Sequence, residues 1–181
     1  MATLTRMRKT VEDYMQLPDD LRVELIEGEF FMSPSPSYRH QSIIVNLVRL
    51  LIAYVRPRQL GKILCAPFDC ILSDENVVQP DVLFVATHNL GKIRERLFGV
   101  PDLAIEVLSP YNSERDRIVK RDLYLEFGLP EYWIVDPESK TIEVRTIQAG
   151  KWQMHAIFGT NDELNSPALA DLRLPVREVF E

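Results

Sequence analysis

Two nearly continuous apolar segments, residues 77–86 and residues 102–108, constrain the fold of this chain most strongly. Each has the length of a single strand, and neither shows the alternation of a strand that keeps one face in water. Strands of this kind are buried on both faces, so other elements must cover them. The two segments therefore predict an α/β domain with a central sheet.

Helices are predicted on either side of these strands. Apolar residues recur at i, i+3, i+4 and i+7 through residues 38–55, and Pro57 ends that amphipathic helix. A second helix is predicted from Ser113, as its N-cap, to Phe127, with Gly128 as its stop. Its expected apolar side consists of Ile118, Leu123, Tyr124 and Phe127.

The remaining patterns complete a single predicted domain over residues 1–181. From residue 38 the order is helix, strand, strand, strand, helix, strand, which makes a core over residues 38–137. The other predicted elements are a helix from Thr10 to Leu17 within an N-terminal helix and hairpin at 10–33, strands at 62–72 and 131–135, a peripheral C-terminal hairpin at 140–158, and a last packed segment at 172–180.

Length and composition are those of an ordinary globular domain of 181 residues. No apolar run reaches the ~18 residues that a membrane span needs, and the N-terminus has no apolar block typical of a signal peptide. We therefore expect a cytoplasmic protein with no membrane segment. Cys65 and Cys70 lack the C-x-x-C spacing of a zinc site, and we expect both to be small buried residues on a strand.

The charge pattern gives mixed evidence about nucleic acid. The net charge of −6 argues mildly against a nucleic-acid binder. Local basic stretches could serve one, although a solvated face is the simpler interpretation of each of them. They are Arg56, Arg58 and Lys62; Lys92, Arg94 and Arg96; and Arg115, Arg117, Lys120 and Arg121.

Two acids inside the apolar strands carry the sharpest chemical signal. Asp81 lies in VVQPDVLFVA and Glu106 in PDLAIEVLSP. A buried carboxylate is costly unless it is paired, hydrogen-bonded or bound to a metal. Two such acids on neighbouring strands repel each other unless a cation or proton lies between them. Hard divalent ions such as Mg²⁺ prefer these oxygen ligands, so the pair indicates a metal site.

Lys120, on the helix that follows Glu106, is the candidate cation of this site. From that helix it can reach back to the strand end, where it would orient a water or stabilise negative charge. It could instead form an exposed helix pair with Asp116, four residues earlier. Spacing alone leaves both possibilities open.

Several motifs together give the chain a family resemblance. They are QPD (79–81), IEV followed by LSP (105–110), a helix with a lysine, GLPEYWIVDP (128–137), the hairpin VELIEGE (23–29) and PSPSYRHQ (34–41). In combination they resemble the Uma-type putative restriction endonuclease family of the PD-(D/E)XK nuclease superfamily. The resemblance covers about residues 10–137, and the tail more loosely. It implies a restriction-endonuclease-like core, a central mixed sheet flanked by helices.

The resemblance also implies roles for residues. Asp81 matches the Asp of the motif and Glu106 its acidic ligand, whereas the position two residues after Glu106, where the motif has lysine, is Leu108. In the Uma-type pattern the lysine comes from the following helix, which here is Lys120. Glu24 matches a further acid of the family pattern, which implies that it completes the metal shell through a water. Without the resemblance, Glu24 would be interpreted as a surface residue of a strand.

His40 matches the same family pattern at the start of the first helix. It could contact a phosphate or act as a helper base. It could equally be a helix-start histidine with a backbone partner.

The function implied is hydrolysis of DNA phosphodiester bonds with Mg²⁺, for which Mn²⁺ would substitute. Asp81, Glu106 and the Val107 carbonyl would hold the ion. One alternative is a weakly active or inactive module that binds DNA or another partner on the same fold. Another is a glycosidase using the two carboxylates, for which the chain is short and lacks an aromatic sugar platform. Cutting both strands is easiest for a two-fold dimer, so a homodimer is expected.

Overall fold

A computed structural model describes residues 8–18, 21–32, 35–109 and 114–181, without the side chains of 114–117. The helices are α1 (Val11–Tyr14), α2 (Tyr38–Val55) and α3 (Glu114–Glu126), with short 3-10 helices at Thr87–Lys92 and Val176–Val179. The strands are β1 (Val23–Ile26), β2 (Glu29–Met32), β3 (Gly61–Cys65), β4 (Cys70–Ser73), β5 (Asn76–Val78), β6 (Val82–Ala86), β7 (Leu97–Phe98), β8 (Leu103–Val107), β9 (Glu131–Asp136), β10 (Thr141–Gln148), β11 (Lys151–Phe158), β12 (Glu163–Leu164) and β13 (Leu174–Pro175).

Within the described residues, the largest sheet has six strands in the order β11-β10-β9-β8-β6-β3. Strands β8 and β9 run parallel, with α3 between them in the chain, and the other neighbours are antiparallel. The predicted order of helix, three strands, helix and strand is therefore confirmed for this sheet as α2, β3, β6, β8, α3 and β9.

A second sheet, β2-β1-β5-β4-β7, separates what the sequence analysis predicted as longer strands. The single strand predicted at 62–72 is wrong, because Pro67 follows β3 and the chain then crosses to β4 in the other sheet. The prediction for 77–86 fails for the same reason, since Pro80 lies between β5 and β6. Proline has no N–H to donate to a strand ladder, which explains both breaks.

The elements pack in layers around the six-stranded sheet. One face of that sheet carries α2 and the C-terminal segment, and its core includes Leu47, Phe84 and Val176. The other face carries α3 and the five-stranded sheet, with Leu83 and Tyr124 in a second core. Each fully buried large side chain of this kind stabilises the fold by about 1.5–3 kcal/mol. The apolar stripe predicted for α2 is confirmed by its buried positions, Ile43, Ile44, Leu47, Leu51 and Val55.

The two predicted hairpins are present. Strands β1 and β2 pair around Glu27–Gly28, and both turn residues have positive φ, which glycine adopts without strain. Strands β10 and β11 pair around Ala149–Gly150. Because β10 also pairs with β9, the C-terminal hairpin extends the central sheet.

Other predicted details have mixed outcomes. Thr10 and Asp13 form the expected capping box, but α1 is shorter than predicted. Ile118 is exposed, so its assignment to the apolar side of α3 is wrong; the neighbouring Val119 packs against the core instead. Cys65 is also exposed, contrary to expectation, because it is the last residue of β3, which is an edge strand, whereas Cys70 is buried.

The Ser113 cap lies outside the described residues. Among the helices that are described, none has the length and apolar character needed to cross a membrane.

Candidate active site

Asp81 and Glu106 lie beside each other at one end of two adjacent strands. Strand β6 begins directly after Asp81, and Glu106 is on β8. The antiparallel register pairs Val82 with Ile105, so Asp81 and Glu106 take the next opposed positions and share one face. Their side chains are 17% and 13% exposed. The structure thus brings together the two acids on which the sequence analysis depended.

Lys120 connects this pair to a third acid. Its ammonium nitrogen lies 3.1 Å from Oε1 of Glu106 and 2.9 Å from Oε1 of Glu24. The Lys120 side chain is only 13% exposed, so it points into the protein rather than along the helix surface. Burial would lower the pKa of Lys120, but the carboxylates of Glu106 and Glu24 outweigh it and raise that pKa well above its ordinary value. Lys120 is therefore a buried, charged ammonium.

Glu24 reaches Lys120 from the five-stranded sheet. Strand β1 is flanked by two strands, and all four of its residues are buried. Ile26, on the same face of β1 as Glu24, packs in the core shared with α3. The backbone N–H of Gln79 donates to Oε1 of Glu24 at 2.6 Å. Glu24 is thus an interior residue with two partners, not a surface strand residue.

The charges around Lys120 do not balance. Three carboxylates, those of Glu24, Asp81 and Glu106, act on the one ammonium. Burial raises the pKa of Glu106, the ammonium opposes that effect, and the other two carboxylates add to it, with the result that the pKa of Glu106 is about 7. Lys120 alone therefore does not offset the combined effect of burial and the two neighbouring carboxylates on the pKa of Glu106.

His40 holds the other side of Asp81. Its Nε2 donates to the Val107 carbonyl at 3.0 Å and lies 3.3 Å from Oδ2 of Asp81. Oδ2 also accepts the backbone N–H of Val107 at 2.8 Å. Burial lowers the pKa of His40, but the hydrogen bond and charge of Asp81 more than offset this, so the net shift is upward. The expected backbone partner of His40 is thus present, together with a carboxylate.

Tyr124 is a site residue that the sequence analysis missed. Its hydroxyl donates to Oε1 of Glu106 at 2.8 Å, although the side chain was predicted as part of an apolar stripe. Tyr124 lies one helical turn after Lys120, so both side chains project from the same face of α3. That i, i+4 spacing was the available signal, since a buried tyrosine hydroxyl usually needs a polar partner.

The chemistry of these groups fits a hard divalent cation. The available donors are the Asp81 and Glu106 carboxylates and the Val107 carbonyl, all of them oxygen atoms. Among the described residues, no three His, Cys, Asp or Glu side chains form a ready-made metal cluster. Mg²⁺ sites in proteins do not need such a cluster, because the ion is usually held by one or two carboxylates and keeps several of its waters. The convergence of the Asp81 and Glu106 carboxylates on one face of adjacent strands is the observation that supports the fit.

Comparison with known proteins agrees with the predicted resemblance. A family model described as "Putative restriction endonuclease", that of the Uma2 family, matches residues 11–177. The crystal structure of a putative nuclease of the DUF820 group from Anabaena variabilis superposes with a TM-score of 0.80. The two chains are 23% identical, over 94% of this chain and 97% of the other. No curated protein sequence matches the chain. The structural likeness confirms the restriction-endonuclease-like fold class.

Proposed function

This chain belongs to the Uma2 family of putative restriction endonucleases, and on that premise we propose that it hydrolyses DNA phosphodiester bonds with Mg²⁺. The observation that carries the proposal is the Lys120 ammonium, which bridges Glu24 and Glu106 beside Asp81. Three carboxylates around one ammonium suit a site that works with a further cation.

Asp81, Glu106 and the Val107 carbonyl would hold the Mg²⁺, with Mn²⁺ as a substitute and Glu24 acting through water. A bound divalent ion supplies a water of lowered pKa and neutralises charge on the scissile phosphate. The chain itself orients two of these proposed ligands, Asp81 and Glu106. The Val107 N–H donates to Oδ2 of Asp81, and Nε2 of His40 lies 3.3 Å from the same oxygen, so that carboxylate is held in one orientation before substrate arrives.

Lys120 would act on the substrate. Because its pKa is raised, it stays protonated at neutral pH and can stabilise the negative charge that builds up on the phosphate during attack. Tyr124 and Lys120 together orient the Glu106 carboxylate. In the reaction one water adds to phosphorus and the bond to one sugar oxygen breaks. The leaving oxygen gains a proton while the water loses one to solvent, so the net change is the consumption of one water.

Nicking of supercoiled plasmid tests this function. The wild-type protein is expected to convert the plasmid to open-circular and linear forms with Mg²⁺ or Mn²⁺, and not with EDTA. Asp81→Ala, Glu106→Gln and Lys120→Met should each abolish the conversion. Activity that survives Asp81→Ala unchanged would show that a different site, or a contaminant, does the cutting.

The proposal extends to assembly and location. Breaking both strands of a duplex is simplest for a two-fold dimer that presents one site to each strand, so we propose a homodimer of 20.9 kDa chains acting in the cytoplasm. Light scattering after gel filtration measures the mass directly. A stable species with the mass of one chain would contradict the dimer without affecting the chemistry at each site.

A second candidate function is a binding module that grips DNA without cutting it. The observation that favours it is the contact of Lys120 with both oxygens of Glu106, at 3.1 and 3.3 Å, because a metal ligand must offer one of them to the ion. A gel shift that weakens with salt, from protein that never nicks plasmid with either ion, would select this candidate.

A further inference from the structure

Arg22 lines two cavities, one of which belongs to the site. The larger cavity, of about 450 Å³, is lined by Arg22 together with Arg96 and Asp69. The smaller, of about 350 Å³, is lined by Arg22 together with His40 and Asp81. Arg22 is therefore shared between the cavity that contains Asp81 and a second, larger cavity.

The other arginines along these cavities already have acidic partners. Arg96 donates to Asp69 at 2.8 Å, and Arg49 donates to Glu178 at 3.1 Å. Arg22 is half-buried, and across the described ranges it makes no hydrogen bond or ion pair. Holding a long cationic side chain partly out of water without a partner costs free energy, so an unpaired arginine in this position suggests a ligand.

The charge of the site explains why such a group is needed. A DNA strand that approaches Asp81 and Glu106 brings its own negative charge toward carboxylates, which repel it. Lys120 cannot offset this alone, because it is shared between Glu24 and Glu106. An arginine that shares a cavity with Asp81, and whose donors have no partner among the described residues, can bind a phosphate through two parallel hydrogen bonds.

We propose that Arg22 binds a backbone phosphodiester of the substrate strand next to the scissile one, with the strand lying along the two cavities. This inference rests on the proposed function and names the group that anchors its substrate. A phosphate contact fixes the register of the strand and carries no base sequence, so Arg22 contributes affinity for every DNA sequence alike.

The test measures DNA binding separately from cutting. An Asp81→Asn background in EDTA removes cleavage, and anisotropy of a short fluorescent DNA gives the affinity at several salt concentrations. Adding Arg22→Gln should weaken binding roughly tenfold and reduce the salt slope by about one. Arg22→Lys keeps the charge but loses the two-pronged geometry, so it should keep the slope while binding less tightly.

Arg173→Gln is the matched control, since Arg173 is exposed and lines neither cavity, and it carries the same change of charge. Its binding should stay within about twofold of the background protein. Thermal unfolding of each variant verifies that the fold is intact. Equal affinity and slope for Arg22→Gln and Arg173→Gln would overturn the assignment of Arg22 and leave the nuclease proposal standing. Failure of the background protein to bind DNA at low salt would instead overturn both.

Discussion

Nζ of Lys120 lies 2.9 Å from Oε1 of Glu24, although Lys120 belongs to α3 and Glu24 to β1, in the first hairpin of the chain. Glu24 lies in the five-stranded sheet, while Glu106, the other partner of Lys120, lies in the six-stranded sheet. The ammonium thus joins the two sheets at the site. Changes at Lys120 are therefore expected to affect stability as well as activity.

Lys120→Met should destabilise the protein by about 3–5 kcal/mol, because removing one partner of a buried ion pair leaves the other charge without compensation. Urea unfolding of both proteins near pH 8 measures the loss. Part of it should return when Glu106→Gln is added, because the uncompensated carboxylate is then gone. Lys151→Met, at an exposed position, is the control. A cost as small as that of the control would mean that the pair contributes little.

Tyr124→Phe removes the hydroxyl that donates to Glu106 and leaves the ring, whose centroid is 5.2 Å from that of Tyr132, in place. The expected loss of stability is about 1.5–3 kcal/mol, the range for a hydrogen bond to a charged group. Nicking activity should fall less than in Lys120→Met, since the ammonium remains. Tyr38→Phe, on a side chain that is 89% exposed, should change neither property. Wild-type stability in Tyr124→Phe would contradict the contact.

Mn²⁺ should raise the melting temperature of the wild-type protein, because an ion that binds only the folded state stabilises it, by about 2.7 kcal/mol at a hundred times its Kd. Asp81→Asn should remove this stabilisation, since the variant lacks a charged ligand. Asp171→Asn is a suitable control because Asp171 is exposed. Differential scanning fluorimetry gives the comparison directly. An equal rise in Asp81→Asn would place the bound ion elsewhere.

Glu131 is a buried carboxyl group outside the site, and its protonation makes the stability of the protein depend on pH. Burial raises its pKa above the ordinary 4.5, although Ser166, Trp133 and the Ala168 N–H donate to its carboxylate and oppose the shift. Because the folded state keeps this proton to a higher pH than the unfolded state does, its stabilising contribution is complete at low pH. It is lost as the pH rises through the folded pKa.

Glu131→Gln has no such proton, so its stability relative to wild type should improve as the pH rises from the ordinary carboxyl range toward neutrality. Urea midpoints of both proteins at a series of pH values provide the measurement. A stability difference that is constant, or that moves the other way, would mean that the pKa of Glu131 is not raised.

The central strands of the six-stranded sheet could be predicted from the sequence because they are apolar runs. The helices could be predicted because their apolar residues recur with the helical period. The division into two sheets could not be predicted, because β5 and β6 are both buried and an apolar run has the same appearance in either sheet. Pro67 and Pro80 gave the only local indication of the crossings.

The site was predictable to a similar degree. Asp81 and Glu106 stood out because acids are rare within apolar strands. The burial of Glu24 depends on a hairpin packed against α3, a long-range contact that no local pattern contains. Arg22 carries no comparable signal, because it is a single basic residue outside the three basic stretches.

The position of Lys120 in the chain has a consequence for synthesis. A ribosome delivers Glu24, Asp81 and Glu106 before the ammonium that joins two of them. A product that terminates early within that interval therefore has the acids and the two prolines between the sheets, but lacks the group that draws them into one centre. Incomplete copies of this polypeptide would consequently leave Glu24 and Glu106 without the ammonium that they share.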